Sequence, residues 1–209
     1  MRLFKLFALS IVMAVPAAAF ASTIDLSTGV DTYKITDPFL NSSTAVLVTP
    51  NPGWGTVIAG ASWIGLPNSG TTSYPGGQYV YEGSSFFAQA GASVSGSFAS
   101  DNNGEVFIID ETTNIATALA SNIYGSGTAD YSFNTLTAFS SGLTVGDEYH
   151  LAFLVQNGNG TTDTNGPTGL LAGATATNVA ATPEPSSLAL LSTGILGLAG
   201  AVRRRFARS

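Results

Sequence analysis

The stretch Glu148-Tyr149-His150-Leu151-Ala152-Phe153-Leu154-Val155-Gln156 decides the fold class. Tyr149, Leu151, Phe153 and Val155 fall on one face at period two, with Glu148, His150 and Gln156 on the other, which is the pattern of a half-buried β-strand. No stretch keeps a helical period beside it. Similar short runs recur between Gly, Pro, Asn and Ser clusters, at Asp31 to Thr36, Thr44 to Val48, Thr56 to Ile64, Gln78 to Tyr81 and Ser85 to Ala90. They continue at Ser93 to Ala99, Glu105 to Asp110, Tyr131 to Phe139 and Leu170 to Asn178. Turn signals separate them: Pro50-Asn51-Pro52-Gly53, Pro67-Asn68-Ser69-Gly70, Pro75-Gly76-Gly77 and Asn157-Gly158-Asn159-Gly160. Ten short strands at this spacing predict an all-β chain folded as a single antiparallel sandwich or jelly roll.

Composition narrows the chemistry. The chain of 209 residues has no cysteine and one histidine, which excludes disulfides, thiolate metal sites, cysteine nucleophiles and His-rich metal centres. Residues 22–182 hold one lysine, Lys34, against twelve acidic side chains, a net charge of −11. Nucleic acid therefore has no basic surface to bind.

The basic residues sit at the two ends. Arg2 and Lys5 precede the apolar stretch Leu6 to Val15, Pro16 breaks it, and Ala19-Phe20-Ala21 forms an A-x-A site with Ser22 as the new N-terminus. Residues 1–21 thus read as a signal peptide cut by signal peptidase. At the other end Thr182-Pro183-Glu184-Pro185-Ser186 leads into an uncharged run to Val202, and Arg203-Arg204-Arg205-Phe206-Ala207-Arg208 follows. Seventeen residues, 186–202, are about 26 Å as a helix, at the short limit for a transmembrane span. Arginines on the cytoplasmic side would leave residues 22–185 on the outer face of the inner membrane. The expected organisation is a signal peptide (1–21), a β-sandwich (22–181) and a sorting and anchor segment (182–209) with its basic tail at 203–209.

The Pro-Glu-Pro triplet, apolar span and terminal arginines closely resemble the PEP-CTERM sorting signal of Gram-negative bacteria. The resemblance implies that Pro183, Glu184 and Pro185 are recognised by exosortase, a membrane-embedded transpeptidase-like enzyme, and that Arg203, Arg204 and Arg205 stop transfer. It further implies transient anchoring in the inner membrane and delivery to the cell surface or exopolysaccharide matrix. The family often has Val before the triplet where this chain has Thr182.

The body resembles a galactose-binding-like jelly roll. The resemblance rests on Ser62-Trp63-Ile64, Gln78-Tyr79-Val80-Tyr81, Ser85-Phe86-Phe87, Gly96 to Asn103, Glu105-Val106-Phe107-Ile108 and Leu143 through Asn157 to Leu170. It implies a fold and no particular ligand.

Three candidate sites follow from the residues. Asp101, Asn103 and Glu105 alternate around Asn102 and Gly104, a spacing able to wrap a hard cation, and the jelly-roll resemblance makes a structural Ca²⁺ the expected ion. An Asn-Gly-type turn between two strands accounts for the same residues. Trp54 lies in a Pro/Gly loop of the charge-free stretch 38–81 and, with Tyr74, is a candidate for stacking on sugar rings. Trp63, Tyr79 and Tyr81 read instead as core or cross-strand partners. His150 has no G-x-S-x-G serine, and Asp110-Glu111 and Asp147-Glu148 are neighbours whose side chains diverge, so no catalytic residue is assigned. The expected function is that of an exported, non-enzymatic surface or matrix protein sorted by exosortase and associated with exopolysaccharide. The alternatives are a glycan-binding module with a structural Ca²⁺ and, third, an exported hydrolase.

Overall fold

The computed structural model describes residues 22–122, 132–158 and 166–182. The expected signal peptide with Ala19 and Ala21, the triplet Pro183 to Pro185, the span and Arg203 to Arg205 lie outside these residues.

Within them the chain is all-β. Its strands are β1 (Ser22–Asp25), β2 (Lys34–Thr36), β3 (Ser42–Thr44), β4 (Val46–Leu47), β5 (Ile64–Gly65) and β6 (Gly77–Glu82). They continue as β7 (Phe86–Asp101), β8 (Asn103–Asp110), β9 (Ile115–Ser121), β10 (Thr137–Gly142), β11 (Glu148–Asn157) and β12 (Gly169–Ala181). Every pairing between named strands is antiparallel. A first sheet runs β3-β2-β6-β11-β8-β9, and a second runs β10-β7-β12, with β1 and the β5-β4 pair along the far edge of β12. No helix among the described residues is long and apolar enough to cross a membrane.

One long strand joins the sheets. Phe86 and Phe87 of β7 pair with Tyr149 and Glu148 of β11, while Ser93 to Phe98 pair with β10. Between these parts the register against β12 shifts, Gly91 takes φ +73°, and the amide of Asn178 donates to the Gly91 carbonyl at 3.0 Å. Such a bulge lets a strand turn a corner between packed layers.

The predicted alternation of β11 is what faces the core. Tyr149, Leu151, Phe153 and Val155 are buried, and Phe153 meets Phe98 of β7 and Phe139 of β10 with ring centres 5.6 and 6.2 Å apart. These rings cross from one sheet to the other, and edge-to-face contact of this kind adds to simple burial. Ile35, Tyr79, Tyr81, Val106 and Ile108 complete the inner face of the first sheet, and Ala172, Ala174 and Ala176 line the second.

Several expected strands differ. Ser85 to Ala90 and Ser93 to Ala99 form the single strand β7, because a bulge rather than a turn separates them. Thr56 to Ile64 contributes only Ile64 to a strand; its apolar residues cover the outside of the second sheet. The start of Tyr131 to Phe139 is a short 3-10 turn, Ser132–Asn134, before β10. Strands β1, β3 and β9 were not expected: all three lie on sheet edges, where little burial marks the sequence. Asp101-Asn102-Asn103-Gly104 is no hairpin turn. It carries the chain from the second sheet to the first, since β7 ends with Asp101 against Gly169 of β12 and β8 opens with Asn103 against Gln156 of β11.

Candidate functional site

The outer face of the first sheet carries a mixture of amide, apolar and charged side chains. Cross-strand register places Gln78, Gln156 and Asn103 in one row, and Val80, Leu154 and Glu105 in the next. Glu82, Ala152 and Phe107 follow, with Lys34 beside Glu82, and then His150 beside Ile109. The face therefore grades from an amide row, through an apolar strip, to a charged end. Val80, Leu154, Phe107 and Gln156 are half-buried. In the amide row the Gln156 side chain donates to the Asn157 carbonyl at 3.1 Å, and Asn103 Oδ1 is buried.

The charged end opens into a groove of about 1070 Å³ bordered by Lys34, Glu82, Glu111, His150, Ala181 and Thr182. His150 Nδ1 lies 2.8 Å from Glu111 Oε1, and its Nε2 stands 4.0 Å from Glu82 Oε1 with no hydrogen-bond partner. The Ser85 hydroxyl donates a short hydrogen bond to the same Glu111 oxygen. That bond, together with His150, holds the Glu111 carboxyl below its ordinary range. A nucleophilic serine would have to sit on the imidazole, whereas Ser85 and His150 share one acid instead. At the groove's rim the Thr182 hydroxyl donates to Glu148 Oε1 at 2.8 Å. These partners were not legible in the sequence, because Ser85, Glu111 and Thr182 come from three separate segments.

Trp54 sits elsewhere, on the outside of the second sheet, and it is buried (6% exposed). Its ring packs on Trp63 with centres 4.3 Å apart, over Ala99 and Leu171. Its indole N–H donates to Asp101 Oδ2 at 2.8 Å. Gly169 gives the ring room, since a Cβ there would lie 2.8 Å from it. The loop tryptophan is thus part of a second small core rather than an open platform. A smaller groove of about 400 Å³ lies against it, lined also by Leu47, Pro50, Val57 and Trp63. Tyr74 is a loop fastener: its hydroxyl donates to the Pro67 carbonyl at 2.8 Å, and its backbone pairs with Gly166. As expected from sequence, Trp63, Tyr79 and Tyr81 are core residues.

Asp101, Asn103 and Glu105 are not brought together. Asp101 shares the outer side of the second sheet with Ala99 beneath Trp54, whereas Asn103 and Glu105 face outward from the first sheet beside Gln156 and Leu154. The crossover between the sheets sends alternate residues to opposite sides, so ligand spacing in the sequence does not become a ligand shell. Among the described residues no group of three His, Asp or Glu side chains is placed to hold a metal. Burial raises the Asp101 carboxyl to about 6 despite the opposing pull of the Trp54 hydrogen bond.

Comparison with known proteins gives two findings. Residues 181–205 match the family model described as the PEP-CTERM protein-sorting motif. Among solved structures, the chain is similar to a mutant of a family 29 carbohydrate binding module, with 10% identity and a TM-score of 0.38 over 75% of this chain and 91% of that one. A second family 29 module gives 9% identity and a TM-score of 0.37 over 80% and 97%. The C-terminal CBM6 of LamC, a marine laminarinase from Zobellia galactanivorans, gives 14% identity and 0.27 over 74% and 98%. No curated protein matches.

Proposed function

We propose that this chain is an exported, non-enzymatic surface or matrix protein, carried to its place by exosortase acting on the C-terminal motif. The single observation that carries this reading is the match of residues 181–205 to the sorting model. The body then meets neutral polysaccharide through the outer face of the first sheet. A body with twelve acids and one lysine is repelled by acidic polymers, whereas stacking and amide hydrogen bonds need no charge. The bonding of Ser85 to Glu111 rather than to His150 supports the non-enzymatic reading.

The test is fractionation of the host after replacing Pro183, Glu184 and Pro185 with alanine. The parent protein is expected outside the inner membrane and the triple variant within it. Identical distribution of the two would overturn the reading.

A further inference from the structure

The groove of about 400 Å³ against Trp54 lies on the outside of the second sheet, away from the polysaccharide face. Leu47, Val57, Ile58, Trp63 and Leu171 line it, and none of its lining residues is charged. Leu47 is 66% and Val57 81% exposed, so its walls carry aliphatic side chains into water. Trp63 is 5% exposed, yet its indole N–H has no hydrogen-bond partner among the described residues. Trp54, whose ring packs on it at 4.3 Å, gives its own N–H to Asp101. A buried N–H without a partner is costly, and an acceptor brought to it removes that cost.

One wall of the groove is free to shift. It is built by residues 50–61, and two hydrogen bonds tie this segment to the rest of the described fold. These run from the Trp54 indole to Asp101 and from the Gly55 N–H to Asn134 Oδ1 at 2.9 Å. Its other backbone bonds are internal, from Trp54 to Asn51, Gly55 to Gly53 and Ala61 to Ile58. The segment is pinned just beyond its end, where the Ser62 N–H donates to the Thr28 carbonyl at 2.8 Å. A stretch held mainly by side-chain packing opens more cheaply than the sheet beneath it, which gives a ligand a way to the Trp63 N–H.

We propose that this groove binds a small uncharged molecule with an aliphatic body and one carbonyl acceptor, an ester, ketone or lactone oxygen, which takes the Trp63 indole N–H. A body of twelve acids and one lysine repels a carboxylate, and no basic side chain lines the groove to pair with it. An ammonium group would lose its hydration without meeting an acid there. A sugar ring would strand most of its hydroxyls against Leu47, Val57, Ile58 and Leu171. Apolar walls with a single polar anchor, at this volume, suit a small ligand. The site depends on neither the sorting reading nor the polysaccharide reading.

Both tryptophans of the chain lie here, so their fluorescence reports on this site without a label. Titration of the full chain with ethyl hexanoate is expected to give a saturable change in emission, half-complete at or below about 1 mM. Hexanoate and hexylammonium are expected to bind at least tenfold more weakly. Trp63→Phe keeps an aromatic ring and removes the N–H; with Trp54 as reporter, affinity for the ester is expected to fall at least fivefold. Val57→Asp changes an exposed side chain at the groove, so the fold is kept, and it is expected to weaken the ester at least fivefold as well. A response to the ester that does not saturate overturns the proposal. So does equal affinity for hexanoate, or ester binding unchanged in either variant.

Discussion

Trp54 donates its indole N–H to Asp101 Oδ2 at 2.8 Å across 47 residues of sequence, joining the covering loop to the end of β7. The other carboxylate oxygen of Asp101 is buried without a partner, so ionisation is costly where this side chain sits. The sign follows from the raised carboxyl. The folded state binds this proton more tightly than the unfolded chain, whose carboxyl titrates near 3.8. The penalty is absent below about pH 4, grows as pH rises to about 6 and stays constant above that. A shift of this size corresponds to about 3 kcal/mol.

Asp101→Asn is expected to flatten that window, because an amide oxygen still accepts from Trp54 and carries no charge. Thermal melts between pH 4 and pH 7.5 test this. Stability equal to or above the parent at pH 7.5, with a weaker dependence below it, is expected. Asp101→Ala leaves the buried indole N–H unpaired and should be about 1–3 kcal/mol less stable than Asp101→Asn. Equal losses in the two variants would contradict the account.

Phe153→Ala removes the ring that touches Tyr33, Phe98 and Phe139 across the sandwich. A loss of about 3–5 kcal/mol is expected by chemical denaturation, with the slope against denaturant unchanged. A loss under 1 kcal/mol would mean that the two sheets do not meet through this residue.

Gly96 and Gly142 make a matched pair along the β7–β10 ladder. A Cβ on Gly96 would lie 2.3 Å from the Gly173 carbonyl oxygen and 2.9 Å from the Phe139 ring, whereas one on Gly142 meets nothing within 4 Å. Gly96→Ala is therefore expected to cost about 1–3 kcal/mol, and Gly142→Ala close to nothing. The melting temperatures of the two variants check this, and similar values would contradict the register drawn here.

For the outer face of the first sheet, Phe107→Ala and Leu154→Ala are expected to weaken retention on neutral host polysaccharide at least fivefold in affinity electrophoresis. Val57→Ser, on the covering loop of the other sheet, is expected to leave retention unchanged. The reverse pattern would move the binding surface to the Trp54 groove.

The sequence carried the parts of this molecule that depend on local alternation. Tyr149 to Val155 face the core because period two is enforced by the pleat, and Tyr79 and Tyr81 follow the same rule. It did not carry what depends on where strands go. Ile58 and Ala61 look like strand residues but belong to a cover, while Ile115 to Ser121, mostly small and exposed, form an edge strand with little pattern to mark them. Asp101 and Glu105 are four residues apart, yet the crossover after β7 puts them on opposite sides of the sandwich. The sorting segment was legible because its charge and proline pattern is linear and needs no fold to be recognised.

The most direct test of the central claim is the intact mass of the protein recovered from its native host, with the cell fraction recorded. The account predicts a chain that begins at Ser22, lacks Arg203 to Arg208 and is found outside the inner membrane. A chain still carrying those arginines in the inner membrane would contradict it, leaving a tail-anchored β-sandwich.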